Sequence, residues 1–301
     1  MKYLITTIVI LCTSIFSLHA EEIKNNTISI EYHKDNYTPF SFDVIKSYEN
    51  SYTSNINQRS QSGNLKNNDI DFIKIKYHFI TDSKNYGFNI SYYSFLLDDA
   101  YRRTDNIYNF SPTNSHEYFV WNRDIITPIK RTEAKGSLYK YFDYGAYFLG
   151  AGIGIRNLNF YQTFNSMFQY MFEDIRTYGP QLSFFNKFIF LNDFSINLSL
   201  DFFKTYGKRI FEEANFAPYK NMGSNNTWVS LTGYEMDLSL QYKLNSSVSF
   251  TLGYTYNKSK LKYYDYETSN FYLDWRYAET VYNRKHSDSL NGYYFGVNTH
   301  F

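Results

Sequence analysis

One short segment near the C-terminus, His286-Ser287-Asp288-Ser289, carries the residue types of a hydrolase. A histidine beside a serine can act as general base for that nucleophile, and a carboxylate can orient the histidine. On an extended strand, however, His286 and Asp288 lie on one face while Ser287 and Ser289 lie on the other. A membrane-crossing strand of about ten residues that ends at Phe301 places His286 beyond the bilayer, in water. The alternative interpretation is therefore a solvated rim of charged residues without catalytic function.

A second set of candidates consists of charged side chains at the polar positions of alternating segments. Opposite charges that face each other inside a narrow barrel can pair and close its lumen. The alternative is a narrow path for a small solute or ion, whose selectivity the same side chains would set. The candidate lumen-lining residues are Lys74, Lys76, Arg156, Lys187, Asp201, Glu235 and Asp237.

The remaining residue types that carry chemistry give no site. His33, His78, His116 and His300 share neither a strand face nor a metal-ligand spacing, so we expect no metal site. Cys12 is the only cysteine, and nothing in the sequence indicates a cofactor. A net charge of +1 without a long basic run is a poor pattern for nucleic-acid binding.

The elements that would position these residues are strands, because apolar and polar residues alternate with a period of two. Segments 194–202, 234–242 and 248–256 each place an apolar set on one face and a polar set on the other. Aromatic residues make up 21% of the chain, its mean hydropathy is −0.49, and no long apolar run follows residue 20. This combination excludes membrane helices and is typical of strands between lipid and a polar lumen.

Short polar turns alternate with longer polar connections along the chain, as in outer-membrane barrels. The expected short turns lie at 81–85, around 143, at 191–193 and at 245–247. The expected long connections are 55–68, 104–128, 165–173, 212–226 and 266–279. The ten strands between them are 40–54, 69–80, 86–103, 129–142, 144–164, 174–190, 194–211, 227–244, 248–265 and 280–301. We therefore predict an all-β fold, a single antiparallel transmembrane barrel of about ten strands, with twelve strands as the alternative.

The N-terminus indicates export. Residues 1–20 combine a basic start at Lys2 with an apolar run and a small residue at Ala20, the pattern of a cleaved signal peptide. We expect residues 21–38 to be a periplasmic lead-in and residues 39–301 to form one barrel domain. The expected location is the outer membrane of a Gram-negative bacterium, where the chain would be a monomer surrounded by outer-membrane lipids.

The C-terminal strand places Tyr293, Phe295, Val297 and the terminal Phe301 on one face. It resembles the closing strand of bacterial outer-membrane barrels. The resemblance implies that the outer-membrane barrel assembly machinery recognises this strand.

Residues 147–155 alternate glycine with larger residues. This segment resembles the glycine-alternating strand of the opacity-protein and OmpA-type superfamily of small barrels. Gly150, Gly152 and Gly154 would then face the lumen, because a narrow barrel needs positions where no side chain projects inward.

Two enzyme families offer looser resemblances. The histidine and serine at 286–289 resemble those of outer-membrane lipid hydrolases. Together with Asp98 or Asp99, His286 and Asp288 resemble the aspartate-and-histidine cleft of the omptin proteases, which are also ten-stranded. The paired omptin motifs are not matched residue for residue, and their order is reversed.

The sequence favours a non-enzymatic role, structural or in surface interaction, exerted through long extracellular loops such as 104–128. It does not identify an extracellular ligand. A narrow porin-like channel for small solutes or ions is the alternative function, and a membrane-embedded hydrolase is the second alternative.

Overall fold

The computed structural model describes residues 25–41, 64–65, 68–97, 101–102, 128–166, 169–191, 193–215, 224–264 and 285–301. Within these residues, ten antiparallel strands close into one barrel, which confirms the predicted all-β class and strand number. No helix in the same residues combines the length and apolar content that crossing a membrane would require.

The strands are labelled in chain order. Those of the barrel are β1 (Asn26–Thr38), β3 (Asp69–Ile80), β4 (Tyr86–Leu97), β6 (Ile129–Asp143), β7 (Tyr147–Ser166), β8 (Gln169–Leu191), β9 (Phe194–Asn215), β10 (Ser224–Lys243), β11 (Val248–Tyr264) and β12 (His286–His300). A separate two-stranded sheet consists of β2 (Asn64–Leu65) and β5 (Tyr101–Arg102). Around the barrel, strands that follow one another in sequence are neighbours, and β1 closes the ring by pairing with both β3 and β12.

Alternation along each strand decides which side chains enter the lumen. In β11, Thr251, Thr255 and Asn257 are buried inside, whereas the side chain of Leu252 is 60% exposed on the outer wall. Successive residues of a strand point to opposite faces, so the polar set fills the lumen and the apolar set forms the outer wall. This outer wall is the surface that lipid would cover.

The two ends of the barrel differ. Short turns join β3 to β4, β6 to β7, β8 to β9 and β10 to β11 at one end, which we call the turn end. The backbones of Asn26 and Phe301 exchange hydrogen bonds of 3.1 and 3.0 Å there. At one turn Gly145 has a φ of 77°, which favours glycine, and its N–H donates to Asp143 Oδ1 at 2.9 Å. The opposite end, where longer segments lead from β4 to β6 and from β11 to β12, is called the loop end.

The first barrel strand lies earlier in the chain than predicted. Residues 21–38 were expected to be a periplasmic lead-in, but residues 26–38 form β1 and pair without interruption to both neighbours. The outward face of β1 has only three apolar residues, Ile28, Ile30 and Tyr32, before it becomes polar. The alternation is therefore too short to recognise, and the predicted domain start at residue 39 is wrong.

The predicted strand 40–54 is wrong at its start. β1 ends at Thr38, and Phe40 lies beyond it in a buried apolar cluster. Residues 42–54 lie outside the described residues.

β7 to β10 form a taller wall than the rest of the barrel. They contain 20, 23, 22 and 20 residues, whereas β1, β3 and β4 contain 13, 12 and 12. The predicted loop 165–173 is therefore wrong at residues 165–166 and 169–173, which belong to paired strands. The predicted loop 212–226 is wrong at residues 212–215 and 224–226 for the same reason, and residues 216–223 lie outside the described residues. Backbone hydrogen bonds hold a ladder whatever the side chains, so polar sequence alone does not end a strand.

Candidate functional site in the barrel lumen

Three glycines leave room for rings inside the barrel. A Cβ atom at Gly152 would lie 2.6 Å from the Leu138 carbonyl oxygen, and one at Gly150 would lie 2.6 Å from the ring of Tyr141. At Gly154 the obstacles include Ser137 Oγ, at 2.5 Å. The three glycines face the lumen, as the resemblance of residues 147–155 implied.

The charged centre of the lumen is organised around Arg156 on β7. Its Nη2 atom donates to Asp201 Oδ2 at 2.9 Å and to Glu235 Oε2 at 2.7 Å. Its Nη1 atom lies 3.3 Å from Glu133 Oε1, and its Nε atom donates to Gln181 Oε1 at 3.0 Å. All five side chains are buried, so one cation links β6, β8, β9 and β10 across the interior.

Two lysines complete this centre. Lys74 on β3 donates from Nζ to Glu235 Oε1 at 3.1 Å. Lys135 on β6 contacts Asp201 Oδ2 at 2.5 Å and Glu235 Oε2 at 3.0 Å. Glu235 on β10 is thus shared by Lys74, Lys135 and Arg156, which reach it across the lumen from β3, β6 and β7.

A neighbouring group of charges surrounds Lys76 on β3. Its Nζ atom lies 2.7 Å from Glu31 Oε1 and 2.9 Å from Asp237 Oδ2. Tyr294 donates its hydroxyl to Asp237 Oδ1 at 2.7 Å. Side chains from β1, β3, β10 and β12 therefore meet inside the barrel at this level.

All seven predicted lumen residues face the interior. Six of them belong to the charged centre around Arg156 or to the group around Lys76, which together we call the ion-pair network. The seventh, Lys187, lies in a cavity at the turn end, with Nζ 3.4 Å from Gln241 Oε1. Three further members of the network, Glu31, Glu133 and Lys135, were not predicted from the sequence. Glu133 and Lys135 are two residues apart on a strand and therefore share a face, so the sequence could have predicted both as lumen residues. Glu31 lay in the segment that was expected to be the lead-in.

Closer to the loop end, Arg131 on β6 joins Glu133 to Asp288 on β12. Its Nη1 atom contacts Asp288 Oδ1 at 2.5 Å, and its Nη2 atom lies 3.3 Å from Glu133 Oε2. Tyr37 donates its hydroxyl to the other oxygen of Asp288 at 2.8 Å. Both oxygens of this carboxylate are therefore engaged in structural contacts.

His286 is not on a solvated rim, and that prediction is wrong. Its side chain is buried, with the ring centroid 6.1 Å from that of Tyr263. The barrel strands continue past the ten-residue span counted from Phe301, so inward side chains remain enclosed there. Ser287 faces away from the lumen, as alternation predicted, while Asp98 and Asp99 lie outside the described residues.

Two apolar clusters fill the lumen on the loop-end side of the ion-pair network. One cluster comprises Phe40, Leu158, Phe160, Ile175, Phe203, Val229, Leu231, Leu261 and Tyr263. The other comprises Tyr37, Ile70, Phe72, Tyr93, Phe95, Leu97, Ile129 and Leu290. These rings and aliphatic chains pack around the buried Arg131, which lies over the rings of Tyr37 and Phe160.

A cavity of about 420 Å³ opens at the turn end. His78, Tyr141, Lys187 and His300 line it, and its inner limit is at Lys76. Beyond it, a void of only 40 Å³ lies beside Lys135, Asp201 and Glu235. The space therefore narrows from a ligand-sized cavity to room for one or two water molecules where the ion pairs begin.

No set of three or more His, Cys, Asp and Glu side chains within the described residues is placed to hold a metal ion. The contacts of the lumen charges are with one another, with tyrosine hydroxyls and with amides. Chemically, the arrangement can close a barrel and hold its strands in register.

The sequence matches one family along almost its whole length. The family described as "Predicted outer membrane protein, Leptospiraceae" matches residues 22–301. No curated protein matches the chain.

Three solved structures match the chain at low sequence identity. The outer membrane protease OmpT from Escherichia coli has a TM-score of 0.53 and 11% identity, with 95% of this chain and 99% of OmpT covered. The translocator domain of the autotransporter NalP from Neisseria meningitidis has a TM-score of 0.38 and 9% identity, with coverages of 100% and 96%. The toluene transporter TodX from Pseudomonas putida has a TM-score of 0.34 and 8% identity, with coverages of 93% and 90%. At these identities the likeness to OmpT concerns the fold alone.

Proposed function

Because the chain belongs to the Leptospiraceae family of predicted outer membrane proteins, we propose that it is a non-conducting outer-membrane barrel with a structural or surface-interaction role. The turn end with both chain termini faces the periplasm, and the loop end faces the exterior. Residues 1–20 direct export and are removed. The role is non-enzymatic and is exerted through the connections at the loop end.

The observation that carries this proposal is the ion-pair network that crosses the lumen. Arg156 and Lys135 hold Asp201 and Glu235, and Lys74 reaches Glu235 from the far wall. An open pore needs its charged side chains free to contact ions and water, whereas these are paired with one another. The apolar clusters beyond the network support the same conclusion, since packed rings and aliphatic chains are a poor environment for an ion.

The outward face of β12 supports the proposed handling by the assembly machinery. Tyr293 and Phe295 are 70% and 50% exposed on the outer wall, and Val297 and Phe301 continue this face toward the C-terminus. These side chains are accessible before lipid covers them. In the mature state they would contact outer-membrane lipids.

Planar-bilayer conductance of the refolded chain without its signal peptide tests the closed lumen. We expect no discrete conductance steps from protein whose folding is verified by heat-modifiable gel mobility. The matched variants are Arg156→Gln inside the lumen and Lys140→Gln on the outer wall. Reproducible steps in the unmodified protein that change with Arg156→Gln but not with Lys140→Gln would contradict the proposal.

A narrow channel is the second candidate function, and the turn-end cavity favours it. This cavity of about 420 Å³ is large enough for a small solute and carries Lys187, His78 and His300 on its walls. Conductance would require the network beside Lys76 to open. The same bilayer experiment therefore separates the two candidates.

The hydrolase alternative has less support. Asp288 is held by Arg131 and Tyr37, and His286 is buried. A general base needs access to a substrate proton within hydrogen-bond reach, which this enclosed position does not provide.

A further inference from the structure

The outer wall of β9 and β11 carries five lysines that point away from the lumen. We call them the lysine band, and they are Lys204, Lys208, Lys258, Lys260 and Lys262. Each alternates with a buried residue on the same strand, so the band lies on the surface that faces the membrane or its headgroups.

β10 runs between the two halves of the band. Thr232 on β10 pairs with Lys204 on one side and with Lys260 on the other. Neighbouring strands are about 4.8 Å apart, so the backbones of these two lysines are about 10 Å apart. Two long, flexible side chains can reach one anionic group from that distance.

Aromatic rings lie directly beside the lysines. The Nζ atom of Lys204 is 5.0 Å from the ring centroid of Tyr206, and that of Lys262 is 4.7 Å from Tyr264. The Nζ atom of Lys208 lies 5.2 Å from the ring of Trp228. Cations provide contacts for phosphate, while exposed rings provide flat surfaces for sugars, so the two together suit a phosphorylated sugar.

The height of the band on the barrel matches the edge of a membrane. The outward face of β9 is apolar from Phe194 at the turn end to Phe202, and Lys204 is the next outward residue. A rise of about 3.3 Å per residue and a tilt of about 40° place Lys204 about 25 Å above Phe194. This is the usual height of the apolar belt of such barrels, so the lysines lie at headgroup level.

The charge of the band is not balanced on its own wall. Within residues 196–210, 228–242 and 248–264, no outward-facing side chain is acidic. On the far side of the barrel, β3 presents Asp69 and Asp71 outward instead. Exposed lysines also lie on other walls, at Lys34, Lys130 and Lys140, but the five lysines of the band lie together on a wall where no outward carboxylate balances them.

We propose that the lysine band binds the phosphorylated headgroup of a glycolipid in the leaflet at the loop end. The phosphate lies between Lys204 and Lys260, and the sugars lie against Tyr206 and Trp228. The proposal rests on the membrane orientation proposed above, but not on the closed lumen. A conducting lumen would therefore overturn the proposed function and leave this binding site intact.

The test measures binding of purified lipopolysaccharide to the refolded chain in micelles of a neutral detergent, by native mass spectrometry. The K204Q/K258Q/K260Q/K262Q variant removes four charges of the band. The matched control K34Q/K130Q/K140Q removes exposed lysines from other walls. We expect binding at least about tenfold weaker in the first variant and unchanged in the control. Enzymatically dephosphorylated lipopolysaccharide should bind the unmodified protein as weakly as intact lipopolysaccharide binds the variant.

Three results would overturn the proposal. They are equal binding by the four-lysine variant, equal binding of the dephosphorylated lipid, and displacement of the lipid by a small amount of inorganic phosphate. If the four-lysine variant does not fold, K204R/K260R keeps the charge and must retain binding. Binding to the unmodified protein must also weaken as sodium chloride is raised, and binding that is insensitive to salt counts against the proposal.

Discussion

Arg156 touches three carboxylates that come from three different strands. Glu133, Asp201 and Glu235 all lie within 3.3 Å of its guanidinium, and all are buried. Transfer of such charges from water is costly, and only their mutual attraction and hydrogen bonds offset the cost. A buried charge that loses its partner is therefore far more destabilising than an exposed one.

Replacing Arg156 with methionine should lower the free energy of unfolding by about 3–5 kcal/mol, because three buried carboxylates lose one of the cations that they share. The matched control is Arg176→Met, since the Arg176 side chain is 72% exposed and pairs with Asp174 at 2.7 Å on the outer wall. We expect the control to lose less than about 1 kcal/mol. Urea unfolding of protein refolded into lipid vesicles, followed by tryptophan fluorescence, measures both values.

Equal losses in the two variants would show that the lumen network contributes no more than a surface pair. Adding Glu235→Gln to Arg156→Met should recover part of the stability, because it removes one of the uncompensated charges. An additive further loss would contradict this coupling.

At the scale of the elements, β1 is the strand on which closure depends. It is the first strand in the sequence, yet it pairs with β12 on one side and β3 on the other. A barrel without it would expose the edges of both neighbours, and an open edge is not tolerated in a bilayer.

A disulfide tests the position of β1. Ile30 and Val297 are Cα partners in the β1–β12 ladder, so the Cα atoms of Ile30→Cys and Val297→Cys lie about 5 Å apart, within the range that a disulfide spans. Cys12 is the only natural cysteine and lies in the predicted signal peptide, so no other thiol competes. We expect the oxidised protein to form a circular chain with altered mobility in denaturing gels.

The out-of-register pair Ile30→Cys with Tyr293→Cys is the matched control and should stay reduced, because its Cα atoms are offset by about 13 Å along the strand. No cross-link in the first pair, or equal cross-linking in both, would mean that residues 26–38 are not the closing strand.

The sequence predicted the central strands well because their alternation is long. Segments 194–202 and 248–256 have apolar residues at every second position, and they lie within β9 and β11 respectively. The glycines at 150, 152 and 154 were also placed correctly, since small residues at every second position have a steric reason. β1 was missed because its lumen face is charged and its outward face is apolar only at Ile28, Ile30 and Tyr32.

The lumen residues could be predicted singly, but their pairing could not. Alternation places Lys74 and Glu235 inside, yet their contact joins β3 to β10 across the barrel. Which strands face each other at one height depends on the tilt and shear of the closed sheet, and neither is visible in a single strand. For the same reason the sequence predicted that His286 would lie in water, although the neighbouring strands enclose its side chain.

At the scale of the whole molecule, the ten barrel strands form a closed ring in which the first and last strands are neighbours. Asn26 and Phe301 hydrogen-bond to each other, so a short linker can join the ends without moving a strand. A circular permutant therefore keeps every strand pair and changes only which strand comes last. This separates the stability of the barrel from the proposed role of Phe301 in assembly.

Two permutants, each carrying residues 1–20 at the new N-terminus, make the comparison. One is opened in the turn between β10 and β11 and ends at Lys243, whereas the other is opened one residue before the end of β8 and ends at Phe190. We expect both to refold in detergent with heat-modifiable mobility, because both retain the full ladder. In cells, we expect outer-membrane insertion of the permutant ending at Phe190 and poor insertion of the one ending at Lys243.

Equal insertion of both permutants would mean that assembly does not depend on a terminal aromatic residue, and Tyr293, Phe295, Val297 and Phe301 would then be lipid contacts alone. Failure of both in cells, with refolding intact, would mean that the identity of β12 as the last strand matters beyond its final residue. If only the permutant ending at Phe190 inserts, adding a phenylalanine after Lys243 tests whether the terminal ring is the cause. If the terminal ring is what the machinery recognises, this addition should restore insertion without changing refolding in detergent.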